Sequence, residues 1–215
     1  DLALRAIIEP GDEVLVPEPS YVSYRPGVVF AGGTPVGVRT RAEDEFSMTA
    51  AALKEVITPR TKALILPYPN NPTGAVMTRP DLEAIAQAIE GTGIIVISDE
   101  IYSELVYGDH RHTAFAEIPG MWERTITLNG FSKAFAMTGW RMGYACAPRP
   151  LAQVMCKIHQ FTMLCAPTAG QYAAIEALKG ALETGYAEIE KMRRTYDRRR
   201  RIMVDAFRKM GLDCF

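Results

Sequence analysis

Short apolar runs alternate with longer stretches of helical period along most of this 215-residue chain. Glu13-Val-Leu-Val16, Pro35-Val-Gly-Val38, Ala63-Leu-Ile-Leu66, Ile94-Ile-Val-Ile97, Thr125-Ile-Thr-Leu128 and Gly143-Tyr-Ala-Cys146 have the length and β-branched content of strands. Several are apolar on both faces, as strands of a covered parallel sheet are. Helical spacing is expected over residues 1–9, where Pro10-Gly11 stops it, and near 20–31, 49–57, 79–90, 150–163, 167–179 and 182–210. The stretch near 79–90 is the best signalled: Thr78 stands as N-cap, Pro80 and Asp81 occupy the first turn, and Leu82, Ile85, Ala86 and Ile89 form the apolar stripe. Strand–helix alternation of this kind predicts an α/β fold of three αβα layers around a mostly parallel central sheet.

Composition narrows the partners. With 48% apolar, 9% aromatic and 23% charged residues, the chain is long enough to bury a sizeable core. Lys and Arg number 24 against 25 Asp and Glu, a net charge of −1, so no global charge favours nucleic acid or an anionic membrane, and small ligands are expected. Four cysteines without a CxxC pair or a histidine at metal spacing point to reduced thiols in a cytoplasm and to no zinc site. The basic run at residues 191–201 reads as the solvated face of a long helix whose buried stripe is Ile202, Met203, Ala206, Phe207 and Met210. His110, His112 and His159 read as surface or loop residues, and Trp140 as packing beneath the loop before it.

The chemistry gathers at the ends of strands, where open α/β sheets bind their ligands. After Ala63-Leu-Ile-Leu66 comes Pro67-Tyr-Pro-Asn-Asn-Pro-Thr-Gly74, a stiff loop that displays Asn70 and Asn71. Ile94-Ile-Val-Ile97 runs into Ser98-Asp-Glu-Ile-Tyr102, which sets carboxylates where burial is costly unless a cation or several donors meet them. The run Arg124–Gly130 ends in Phe131-Ser-Lys133, and Arg141 follows Thr138-Gly-Trp140. A lysine amine in a poorly solvated pocket sheds its proton readily and can form a Schiff base with an aldehyde. Pyridoxal phosphate is such an aldehyde: its ring nitrogen needs a carboxylate, its phenolic oxygen needs donors, and its phosphate needs arginine.

PNNPTG, SDEIY and NGFSKAFAMTGWRMGY, in that order, resemble the pyridoxal-phosphate-dependent aminotransferases of fold type I, class I/II, with a leaning toward the aspartate and aromatic branch. The likeness extends to EPGDEVLVPEPSY and CAPTAGQYAAIEAL and so spans essentially the whole chain. It implies that Lys133 carries the cofactor and moves the substrate's Cα proton, and that Asp99 pairs with the pyridine nitrogen. Asn71 and Tyr102 would hold the phenolic oxygen, Arg141 the phosphate, with Ser132 adding a hydroxyl, and Tyr21 would stack on the ring. Many relatives have serine three residues before the lysine, where this chain has Gly130.

The same likeness implies amino acid and 2-oxo acid substrates and a homodimer. It also sets the expectation that residues 1–215 are a cofactor-binding large domain truncated at both ends, its long helix from about 182 to 210 leading toward a small domain. The phosphate-binding turn and the substrate-carboxylate arginine of the family would then lie outside the chain. Transamination is the expected reaction. Other chemistry on the same scaffold, such as carbon–sulfur elimination or cyclopropane formation, and a non-catalytic dimerising fragment are the alternatives.

Overall fold

The computed structural model describes residues 1–214. Thirteen regular elements follow the chain: α1 (Leu2–Ile7), β1 (Glu13–Glu18), α2 (Tyr24–Phe30), β2 (Thr34–Arg39), α3 (Ala50–Val56), β3 (Thr61–Leu66), α4 (Arg79–Ala88), β4 (Ile95–Asp99), β5 (Thr125–Gly130), β6 (Gly143–Cys146), α5 (Arg149–Thr162), α6 (Thr168–Glu183) and α7 (Ala187–Lys209). The six strands form one sheet in the order β2-β1-β3-β4-β5-β6. All neighbouring pairs are parallel except β5 and β6.

Alternation along each strand divides the core between the two faces of the sheet. Leu15, Val38, Leu64, Leu66 and Val96 pack with Leu53 of α3 and with Leu82, Ile85 and Ala86 of α4. Val14, Val16, Ala63, Ile65, Ile97 and Ile126 face the opposite way and pack with Leu4 of α1, Val28 of α2 and Met155 of α5. The expected αβα layering is therefore present, with two apolar seams rather than one. α4 is capped as its sequence predicts: Thr78 N–H donates to the Asp81 carboxylate at 2.8 Å, and the Thr78 hydroxyl accepts from Asp81 N–H.

Several boundaries differ from the sequence expectation for identifiable reasons. Residues 20–23 stay outside α2, with Tyr24 N–H donating to Tyr21 O in a turn. α6 passes through Gly180, an interior helical glycine costing only about 1 kcal/mol, and stops where Gly185 and Tyr186 take left-handed φ of 60° and 64°. The long helix therefore begins at Ala187 rather than at 182.

The stripe expected to bury the end of α7 does not. Ile202, Met203 and Met210 are 60%, 52% and 63% exposed, Ala206 is exposed and Phe207 half-buried. The helix touches the body early, through Arg193 Nη1 to Val106 O at 3.0 Å and Arg200 over the Tyr107 ring. Near its start Ile189 is buried with Ala134 and Ala181. Its basic run is a solvated face, with Arg193 and Arg194 paired to Glu190 and Arg200 and Arg201 to Asp197.

Candidate active site

The strand order reverses direction between β1 and β3, and ligands of open α/β sheets sit beside such a switch, at the carboxyl ends of the strands. Here a cavity of about 420 Å³ opens there. All seven residues singled out from the motifs line it: Tyr21 after β1, Asn71 after β3, Asp99 at the end of β4 with Tyr102 following, and Ser132, Lys133 and Arg141 after β5.

Each strand exit prepares its residue. In the loop after β3, buried Asn70 turns inward, its Oδ1 accepting from Thr73 N–H at 3.3 Å and Thr73 Oγ1 at 3.0 Å, which leaves Asn71 facing the cavity. Of the two asparagines, one braces the loop and the other lines the site. The segment after β5 is a tight reversal. Met137 N–H donates to Phe131 O, Thr138 Oγ1 donates to Ser132 O at 2.9 Å, and Ala136 and Arg141 both adopt left-handed φ, 52° and 55°. Two non-glycine residues held there mark a segment whose shape is enforced by its surroundings.

Phe131, buried against Phe135 at 5.2 Å and Tyr144 at 6.2 Å between ring centroids, is the floor of this loop. Trp140, expected in that role, is 49% exposed, because the short 3₁₀ turn Thr138–Trp140 carries its side chain outward.

Gly130 closes β5 against β6, and a Cβ built on it would lie 2.9 Å from Met142 O and 3.0 Å from Gly143 Cα. Both neighbours are backbone, so a serine hydroxyl at this position has no room. Gly130→Ser is expected to lower stability by about 1–3 kcal/mol, through overpacking, and to displace Lys133 rather than add a phosphate ligand. Thermal melts with cofactor titration check this; a variant as stable as its parent that binds more tightly would contradict it.

Lys133 makes no ion pair among the described residues, and its Nζ lies 5.3 Å from the centroid of the Tyr102 ring. Arg141 donates one guanidinium hydrogen bond, to Thr138 O at 3.0 Å, and keeps further donors for a ligand. Asp99 accepts from Tyr24 Oη at 2.9 Å and from Ile101 N–H at 3.3 Å. Burial pushes the Asp99 carboxyl above the usual range, the two hydrogen bonds oppose this, and the Glu100 charge adds to the rise. Burial, the Asp99 charge and that hydrogen bond raise the Tyr24 phenol, so it stays a donor. With two basic side chains, Lys133 and Arg141, and Asp99 the one acid among the described lining residues, the lining suits an anionic ligand that also offers a cationic or proton-bearing ring atom to a carboxylate. Pyridoxal phosphate fits this donor set and this volume.

Tyr24 is a cavity-lining residue the motifs pass over. It follows Tyr21 by three positions, the spacing that puts two side chains on one side of a helical turn, and the two rings meet edge to face at 5.7 Å. Tyr24→Phe is expected to weaken cofactor binding about tenfold, because Asp99 loses a donor that orients it and opposes its protonation. Titration of pyridoxal phosphate into the variant checks this, and an unchanged dissociation constant would refute it.

Among the described residues no group of three or more His, Cys, Asp or Glu is placed to hold a metal, and no helix is long and apolar enough to cross a membrane. The family model described as aminotransferase class I and II matches residues 1–215. An aspartate aminotransferase of Pyrococcus abyssi is 46% identical over 98% of this chain and 54% of its own length. An aromatic-amino-acid aminotransferase of Thermococcus litoralis is 44% identical over 98% and 54%. The crystal structure of an aromatic aminotransferase from Pyrococcus horikoshii superposes with a TM-score of 0.94 at 48% identity, over 98% of this chain and 56% of that one. The chain thus spans about half the length of the relatives it matches.

Proposed function

We propose, because this chain belongs to the class I and II aminotransferase family, that it is the cofactor-binding part of a pyridoxal-phosphate-dependent aminotransferase that moves an amino group between an L-amino acid and a 2-oxo acid. One observation carries the reading. A lysine, an arginine, a half-buried carboxylate, an amide and two phenols arrive from four separate strand ends at one cavity, and each matches one chemical need of that cofactor.

Lys133 would hold the cofactor through Nζ and would move the proton at the substrate's Cα. Asp99, oriented by Tyr24, would serve the ring nitrogen. Asn71 and Tyr102 would serve the phenolic oxygen, Arg141 with Ser132 the phosphate, and Tyr21 the face of the ring. When bound, pyridoxal phosphate supplies an aldehyde for the amine and a ring that draws electrons from the substrate's Cα.

The names of the relatives favour aspartate or an aromatic amino acid as the amino donor. A homodimer fits the exposed apolar row Tyr172, Ile175, Leu178 and Leu182 on α6 together with Phe161 and Leu164. The four unpaired cysteines fit a reducing cytoplasm.

The test mixes the chain with pyridoxal phosphate, records its visible absorbance, reduces with borohydride and maps the modified peptide. The cofactor is expected on Lys133; a folded chain with no adduct, or with the adduct elsewhere, would overturn the reading.

A further inference from the structure

Two acidic residues stand side by side at the end of β4, and their side chains bond to opposite faces of the sheet. Asp99 meets Tyr24 of α2 on the cavity side. Glu100 enters the other seam, toward Phe115, and is only 3% exposed. There its carboxylate collects three partners: Ser98 Oγ at 2.8 Å and Phe115 N–H at 3.2 Å donate to Oε1, and His112 Nε2 lies 2.8 Å from Oε2. A carboxylate oxygen accepts, and an imidazole that carries a proton on Nε2 donates to it.

The backbone of Glu100 is bound into the turn that presents Tyr102. Its N–H donates to Leu128 O of β5 at 2.8 Å, its carbonyl accepts from Ser103 N–H at 2.9 Å, and Leu105 N–H donates to Tyr102 O at 2.8 Å. Ser103 Oγ accepts from Asn129 Nδ2, again on β5, at 3.1 Å. None of the cofactor contacts assigned above uses Glu100 or His112. The fold alone does not call for a charge there either, since apolar groups of similar volume often fill such a place at no loss of stability. A buried carboxylate with every neighbour matched does what an apolar side chain cannot, because its directional bonds hold the backbone in one arrangement.

We propose that Glu100 and His112 are positioning residues, whose buried pair locks residues 99–103 so that Asp99 and Tyr102 face the cofactor cavity together. This rests on the cofactor reading above. His112 is the more accessible partner, 19% exposed at its side chain against 4% for Glu100, so truncating it lets water reach the carboxylate and need not unfold the chain.

The experiment titrates pyridoxal phosphate into the parent chain, His112→Ala and His112→Gln, reading the dissociation constant, the circular dichroism induced in the cofactor band, and Tm. His112→Ala is expected to bind about tenfold more weakly with a diminished induced signal, the effect of one hydrogen bond to a charged group. His112→Gln, whose amide can still donate to Oε2, should restore both. Should His112→Ala fail to fold, Glu100→Gln, nearly identical in shape, is read in its place with the same expectation. Parental affinity and signal in the truncated variant, whatever its Tm, would overturn the proposal and leave the pair a structural feature. A parent chain that forms no adduct would instead bring down the cofactor reading, and this inference with it.

Discussion

Lys133→Ala is expected to eliminate the borohydride-trapped cofactor adduct altogether, and Lys133→Arg to do the same while keeping the positive charge. Among the described residues Lys133 is the only amine lining the cavity. Covalent capture of an aldehyde needs a primary amine, and a guanidinium, which stays protonated, cannot replace it. Noncovalent binding should persist in both variants, because Arg141, Asp99, Asn71 and Tyr102 remain. In the full-length protein kcat should fall at least 10²- to 10⁴-fold, roughly the contribution of a positioned acid–base group alone. Mass spectrometry of the reduced protein separates the outcomes: an adduct retained in Lys133→Ala would place the reactive amine elsewhere.

Asp99→Asn is expected to move stability and cofactor affinity in opposite directions. Asp99 is held above its usual range mainly by burial, so the folded chain holds its proton more tightly than the unfolded chain does. For a group shifted in that direction stability falls as pH rises from the ordinary carboxylate range, near 4, through the raised folded value; the penalty is absent below the ordinary range and complete above the raised value. Without cofactor, Asp99→Asn should therefore melt higher than its parent at neutral pH, and the two curves should converge in acid. The Tyr24 hydroxyl can turn from donor to acceptor and stay bonded to the new amide.

Affinity for pyridoxal phosphate should nevertheless fall about 10- to 100-fold, because a charge-assisted hydrogen bond to a protonated ring nitrogen is worth about 1.5–3 kcal/mol. Melts between acid and neutral pH, with and without cofactor, check both halves. An asparagine variant less stable than its parent at every pH would show that the buried charge is already fully compensated.

Such opposition is what a ligand site shows when it holds an unfavourable group in readiness. The same reasoning applies to the left-handed residues Ala136 and Arg141, which bracket the turn after Lys133 and orient it toward the cavity.

Much of this protein was legible without its fold. Period-2 and apolar runs located all six strands; in β1 and β3 burial on both faces forces continuous apolar sequence whatever the neighbours are. The motif residues Tyr21, Asn71, Asp99, Tyr102, Ser132, Lys133 and Arg141 were identifiable because the motifs that carry them resemble those of a known family, and they line one cavity because strand ends of a parallel sheet converge. Local pattern alone could not decide which of two adjacent polar residues turns which way. Asn70 and Asn71 differ only in which loop bonds they meet, and Asp99 and Glu100 only in the face that alternation along β4 assigns them.

Tertiary packing likewise decided that Phe131 rather than Trp140 lies under the lysine loop, and that most of the apolar stripe of α7 is exposed. It placed Tyr24 on Asp99, 75 residues away in sequence, and His112 on Glu100. Periodicity reports how much of a side chain must be buried; hydrogen-bond partners distant along the chain are set only when the strands pair. For this protein the sequence by itself determined the layers and the candidate groups, and the tertiary structure decided which distant side chains hold them at the cavity.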